Sequence, residues 1–324
     1  NKIPWRNILW TETNSIIGQE NEQYHQDSGF GPYYPYHSYP AYTVVDSGGK
    51  IVFHDFSLSG LTGLSAFLAD HTGGSGVYES SDYSKDGEVT ALQTATRGNG
   101  INIVLLGDAF SDRLVADGTY DGTMRKAMEH FFSEEPYKSF RDLFNVYAVN
   151  VVSKNEAYGS GAQTALDGFF GDGTHVGGND DKCRQYAMKV PGITYDNIDD
   201  ALIIVMMNRT YYAGTCYMYY PSSGDYGKGW SIAYFPLGTD DGMFGQLLHH
   251  EAGGHGFPKL ADEYAYEEYG QIPWNKVQSA KQLEPYGWWR NIDFTGDVSQ
   301  VKWSRFITDP RYAAEVLGAY EGAD

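Results

Sequence analysis

Apolar and polar positions along this chain alternate between two patterns. Residues 101–106 form an apolar run interrupted only by Asn102, and residues 144–152 and 201–207 are similarly rich in apolar side chains, as expected of strands buried on both faces. Residues 121–132 instead carry apolar side chains at helical spacing, with Asp121 as a candidate N-cap. Strands alternating with helices predict an α/β layer built around a mixed sheet.

The first part of the chain follows another plan. Residues 39–45 and 50–54 are β-branched or aromatic, Asp46-Ser-Gly-Gly49 lies between them, and an amphipathic run covers 58–68. This predicts strand, tight turn, strand and helix. It resembles the second half of a thioredoxin-like domain, with Pro40 where that fold has a cis-proline, but no cysteine is present there to give redox activity. A generic small α/β or β accessory module is the other reading. Glycine, serine and charge dominate 72–76 and 80–87, which suits a linker. The expected organisation is therefore an accessory module over 1–75, a linker over 76–95 and a larger domain over 96–324, in keeping with 324 residues being long for one core.

Composition narrows the class of function. A net charge of -19 opposes binding to nucleic acid or anionic membranes, and no stretch reaches the 18 or so apolar residues that a membrane span needs. Starting at Asn1 with no signal-like apolar run, the chain is expected to be a mature or trimmed product. Its 27 tyrosines and 7 tryptophans suit an extracellular life. Cys183 and Cys216 are too far from other cysteines for zinc-finger or C-x-x-C chemistry; they could be two buried thiols, and the expectation here is a disulfide. The cluster Gly171-Asp-Gly-Thr-His-Val-Gly-Gly-Asn-Asp-Asp181 could hold Ca²⁺, but it lacks EF-hand spacing and reads better as a solvated loop.

Reactive side chains concentrate in Gln246-Leu-Leu-His-His-Glu-Ala-Gly-Gly-His255-Gly-Phe-Pro-Lys-Leu-Ala-Asp262-Glu-Tyr264. A zinc hydrolase needs two imidazoles on one helix face, a carboxylate beside the metal and a third ligand from elsewhere. In H-E-x-x-H the histidines lie about 40° apart around the helix, whereas His250 and His255, five residues apart, lie about 140° apart on an ideal α-helix. One π-bulge, expected at Gly253-Gly254, returns them to one face. Glu251 is then the candidate general base, and His249 is expected to be packed or solvent-facing. Taken alone, two adjacent histidines and a glutamate can be ordinary polar decoration.

The longer string is more specific. His250-Glu251, Gly253-Gly254, His255, Phe257 and Leu260-Ala-Asp-Glu-Tyr264 resemble the zinc motif of the bacterial IgA-peptidase family of metallopeptidases. Asn102 to Asp108, Glu135-Pro-Tyr-Lys-Ser-Phe140, Phe144 to Val149, Asp200 to Asn208 and Tyr320-Glu-Gly322 extend the resemblance over roughly 90–324. It implies a secreted zinc endopeptidase with a metzincin-like catalytic domain, found outside or on the surface of a bacterium. The six-residue H-E-x-x-x-H also resembles the dipeptidyl peptidase III motif, with nothing else shared.

By analogy with metzincins, Pro258 turns the chain away and Asp262 returns as third ligand, with Glu263 either supporting it or taking its place. No methionine follows His255, so the methionine turn of that class is expected beyond Asp324 or replaced. The same analogy makes 230–235 an edge strand for extended substrate. Tyr264, Tyr266 and Tyr320 are candidates to steady an oxyanion, and Tyr211-Tyr-Ala-Gly214 with 217–220 forms an aromatic loop that could line the cleft.

The expected activity is therefore peptide hydrolysis on a protein or glycoprotein substrate, with zinc on His250, His255 and Asp262 and with Glu251 activating water. Two rivals remain: a non-catalytic glycoprotein- or glycan-binding protein on a peptidase fold, and a zinc amidase for a small substrate. An open groove beside an edge strand favours protein; a closed pocket favours the small amide. Cleavage preference and oligomeric state are not written in this sequence.

Overall fold

The computed structural model describes residues 42–45, 51–55, 78–159, 161–220, 229–263 and 272–320. The chain divides into two compact units, residues 1–77 and 78–324. In the smaller unit β1 (Tyr42–Val45) and β2 (Ile51–Asp55) pair antiparallel, Tyr42 opposite Asp55, with a bulge between Val44 and Val45. The strand, turn, strand pattern predicts this pairing. Pro40 and the 58–68 run lie outside the described residues.

The larger unit is a mixed α/β domain. Its six-stranded sheet has the order β3 (Val89–Gln93), β5 (Phe144–Val149), β4 (Ile101–Asp108), β8 (Ala201–Met207), β10 (Trp230–Pro236), β9 (Thr215–Tyr219). The four inner strands run parallel, and β3 and β9 close the two edges antiparallel. A separate two-stranded ribbon joins β6 (Phe169–Phe170) to β7 (Val176–Gly177).

Alternation along each inner strand feeds two cores. Ile103, Leu105, Ile204, Met206 and Phe235 pack with Tyr120, Met124 and Phe131 of α2 (Thr119–Phe131) and with Leu247, Leu248 and Ala252. Val104, Leu106, Ile203, Val205 and Tyr234 pack on the other face with Cys183 and Ala187 of α3 (Asp180–Ala187). Because both faces are covered, these strands are mostly apolar rather than alternating with polar residues. A short helix α1 (Asp112–Ala116) links β4 to α2.

Several expectations are corrected here. Residues 78–95 do not behave as a linker: Ser80 N donates to Lys154 O, Ser81 N and Asp82 N donate to the Asp112 carboxylate, and β3 pairs with β5. The stretch is fastened to the domain through these bonds although Ser81, Asp82, Ser84 and Asp86 are exposed. Helix α2 starts at Thr119 with Gly118 as N-cap (φ 87°), while Asp121 sits in the first turn and pairs with Arg125. The 230–235 stretch is no edge strand; β10 lies between β8 and β9 and is buried almost throughout. The edge is β9, the tyrosine-rich stretch expected as loop. Cys183 and Cys216 are both free thiols, Cys183 sharing a hydrogen bond with the Tyr234 hydroxyl at 3.2 Å.

Asp108, at the end of β4, is 1% exposed, and its carboxylate oxygens accept from Leu166 N at 2.9 Å and Gly168 N at 3.1 Å. A β-carbon at Gly168 would stand 2.1 Å from Oδ2, so only glycine fits there. Asp108 thus pins the loop that leads into β6 and β7. Asp108→Ala should cost about 1–3 kcal/mol, from the buried Leu166 amide left without an acceptor, while Gly168 N keeps Thr164 Oγ1 at 2.9 Å. The measurement is the urea midpoint at unchanged m-value; an unmoved midpoint would show that the loop is held by other contacts.

Candidate metal centre

After β10 the chain enters α4 (Asp241–Leu248), where the Asp240 side chain caps the helix by accepting from Met243 N at 2.9 Å. Residues His249–Gly256 continue it as π-helix, and Phe257 N reaches back five residues to Ala252 O at 2.9 Å. The expected bulge at Gly253-Gly254 is therefore spread over eight residues. Leu247, Leu248 and Ala252 anchor one side of this helix in the core, so its opposite side and its turn carry the polar groups.

The widened turn brings His250 and His255 together, with Nε2 atoms 3.3 Å apart. Asp262 Oδ1 lies 3.5 Å from His250 Nε2 and 3.2 Å from His255 Nε2. Among the described residues this is the one group of three or more His, Cys, Asp or Glu side chains close enough to share an ion. The ring of His255 is oriented by Nδ1, 2.8 Å from Leu260 O. A carbonyl only accepts, so Nδ1 carries the proton and Nε2 turns its lone pair to the cluster. Burial, followed by the neighbouring His255, holds His250 below the usual imidazole range and favours its neutral, ligating form.

Three electron-pair donors facing one another suit a positive centre between them. Asp262 Oδ1 is buried without a hydrogen-bond partner, which a cation would satisfy. The observed edges of 3.2–3.5 Å match the ligand spacing of a tetrahedral zinc with bonds of about 2.0–2.1 Å, which is about 3.3–3.4 Å. The donor set therefore fits a divalent ion of this type.

Glu251 is 5% exposed and lines the same cavity of about 910 Å³ as His250, His255 and Asp262. Burial, and behind it the Asp262 carboxylate, push its carboxyl up to about 8, opposed by the Cys216 main-chain amide. Space for it comes from Gly214, where a β-carbon would stand 2.2 Å from Glu251 Oε1. Gly214 is itself held by donating to Thr174 O at 3.1 Å. The pattern of the sequence reveals an aromatic loop at 211–214 but not this requirement.

The turn from His255 to Asp262 is fastened at both ends. Lys259, in the left-handed region at φ 57°, sends its buried amine to Ser231 Oγ and, at 2.6 Å, to Gly256 O, while its carbonyl accepts from Trp289 N. Burial pushes this amine down to about 8. Asn291 brackets Ala261, accepting from its N–H at 2.9 Å and donating to its oxygen at 2.7 Å. The same Asn291 amide donates to Glu263 Oε1 at 2.8 Å, so Glu263 is engaged outside the cluster.

The remaining candidates separate. His249 lies apart from the pair, 3.4 Å from Ser133 Oγ. Tyr212 lines the same cavity as His250, His255 and Asp262, whereas Tyr320 lines a different one with Phe294 and Trp303. Tyr264 and Tyr266 lie outside the described residues. In the 171–181 stretch Asp180 accepts from the Tyr219 and Tyr234 hydroxyls, and its acidic groups do not converge on an ion-sized space.

Compared with known proteins, the chain matches the family model described as IgA Peptidase M64 over residues 89–313. No curated protein matches it.

Asp262→Ala should separate the two states of this centre. Without metal it removes an unpaired buried oxygen and should leave the melting temperature unchanged or slightly raised. With zinc added, the wild type should gain stability by mass action while the variant gains far less. Equal zinc-dependent shifts in the two proteins would remove Asp262 from the ligand set.

Proposed function

The chain belongs to the IgA Peptidase M64 family and is a peptidase, and on that premise we propose that it is a zinc-dependent endopeptidase acting on extracellular proteins or glycoproteins. The observation that carries the reading is the convergence of His250, His255 and Asp262 with Glu251 in one cavity. His250, His255 and Asp262 would hold the ion, which when bound supplies Lewis-acid chemistry, acidifying water and polarising a carbonyl.

The other roles belong to the chain itself. Glu251, buried in the cleft wall and kept in place by the gap at Gly214, accepts a proton from the attacking water and returns it to the departing amine. The cavity runs along edge strand β9, with Thr215, Cys216 and Met218 in its lining. An edge strand can hold an extended peptide through main-chain hydrogen bonds, which favours protein over a small amide. The family description names IgA, and an immunoglobulin or mucosal glycoprotein substrate would place the enzyme outside the cell. A metzincin-like relationship rests on the helix, turn and third-ligand order, without a methionine after His255.

Metal content by elemental analysis and casein hydrolysis together test the reading. One zinc per wild-type chain, lost in His255→Ala, is expected; Glu251→Gln should keep the ion and lose hydrolysis by at least about 100-fold. Wild type that takes up no zinc when it is supplied would sink the proposal. Gly214→Ala should also keep the metal while lowering kcat by about 10-fold or more, because a displaced Glu251 can no longer meet the water; unchanged kcat would show that Glu251 has room to move.

A further inference from the structure

A helix that widens must find new partners for its carbonyls. In a π-helical stretch each oxygen waits for the amide five residues on. Ala252 O finds Phe257 N. The next oxygen, that of Gly253, would wait for residue 258, which is Pro258 and has no N–H. Its α-helical partner would be Phe257 N, already engaged with Ala252.

The neighbouring oxygens are all provided for. Gly254 O accepts from Leu260 N at 3.1 Å and His255 O from Lys259 N at 3.1 Å. Gly256 O accepts from Ser231 Oγ at 2.9 Å as well as from the Lys259 amine. Gly253 O is met from far along the chain, by the Tyr137 hydroxyl at 2.5 Å. Tyr137 belongs to the Glu135-Pro-Tyr-Lys-Ser-Phe140 motif, for which the catalytic reading has no use.

Its ring is fixed for this task. Tyr137 is 7% exposed, with ring centroids 4.3 Å from Phe131 and 5.9 Å from Phe257. A β-carbon at Gly253 would stand 3.2 Å from its Cε2, so glycine lets the phenol approach the backbone. Burial raises the hydroxyl pKa and keeps the group a donor.

We propose that Tyr137 is a positioning residue of the metal centre, its hydroxyl replacing the main-chain donor that Pro258 lacks and so holding the five-residue register that aims His250 and His255 at one ion. The inference rests on the metal reading above. It extends that reading to a side chain that touches neither ion nor substrate.

The test uses the full chain in four forms: wild type, Tyr137→Phe, Pro258→Ala and the double variant. Zinc affinity is measured by competition with a chromogenic chelator, and amide hydrogen exchange across 252–260 is measured on metal-free protein. Tyr137→Phe should weaken zinc binding about 10–100-fold, the usual effect of losing an outer partner of a metal site, and should speed exchange of the Phe257 amide. Pro258→Ala restores an N–H at the missing position, so the double variant should recover most of both losses. If Tyr137→Phe fails to fold, a folded, zinc-binding double variant supports the assignment just as well. Wild-type zinc affinity and Phe257 exchange in Tyr137→Phe would overturn it, and so would a double variant no better than Tyr137→Phe. Wild type without zinc affinity, but with Phe257 exchange speeded by Tyr137→Phe, would instead overturn the metal reading while upholding the register.

Discussion

Two imidazoles five residues apart cannot face one ion from an α-helix, and the architecture around His250 and His255 follows from that constraint. The helix has to widen, which leaves carbonyls out of step with their amides. The widening runs through glycines 253, 254 and 256, and donors from β10, from the 259–260 turn and from the loop after α2 complete it. The unusual spacing thus extends its demands well beyond the eight residues that contain it.

The sheet meets those demands by geometry. The helix packs on one core face, so its end reaches Ser231 and Leu202, which lie side by side on β10 and β8. Edge strand β9 then stands beside Glu251, and the loop pinned by Asp108 reaches Gly214 through Thr174. Segments remote in sequence are held against the same turn of helix. Asp262 arrives last, on a turn fixed by Lys259 and Asn291.

What the sequence discloses and what it hides divide along the same line. The inner strands, α2 and the histidine pair are local patterns, and each is legible as a period, a run or a spacing. The order of strands in the sheet is not local, which is why 230–235 reads as an edge although it lies inside. Gly214 and Tyr137 matter through what they touch 37 and 116 residues away in Glu251 and Gly253, and no periodicity records such contacts. The two cysteines mislead for the same reason: Cys183 belongs to one core and Cys216 packs against the other, so the sheet separates them.

That separation affects how the molecule behaves in the laboratory and in any cell that makes it. With both thiols free, the covalent frame contains nothing for a reductant to cut or an isomerase to shuffle. Dithiols, which both reduce and chelate, would find no bond between these two sulfurs to cut, so any effect they had on the proposed centre would be that of a chelator.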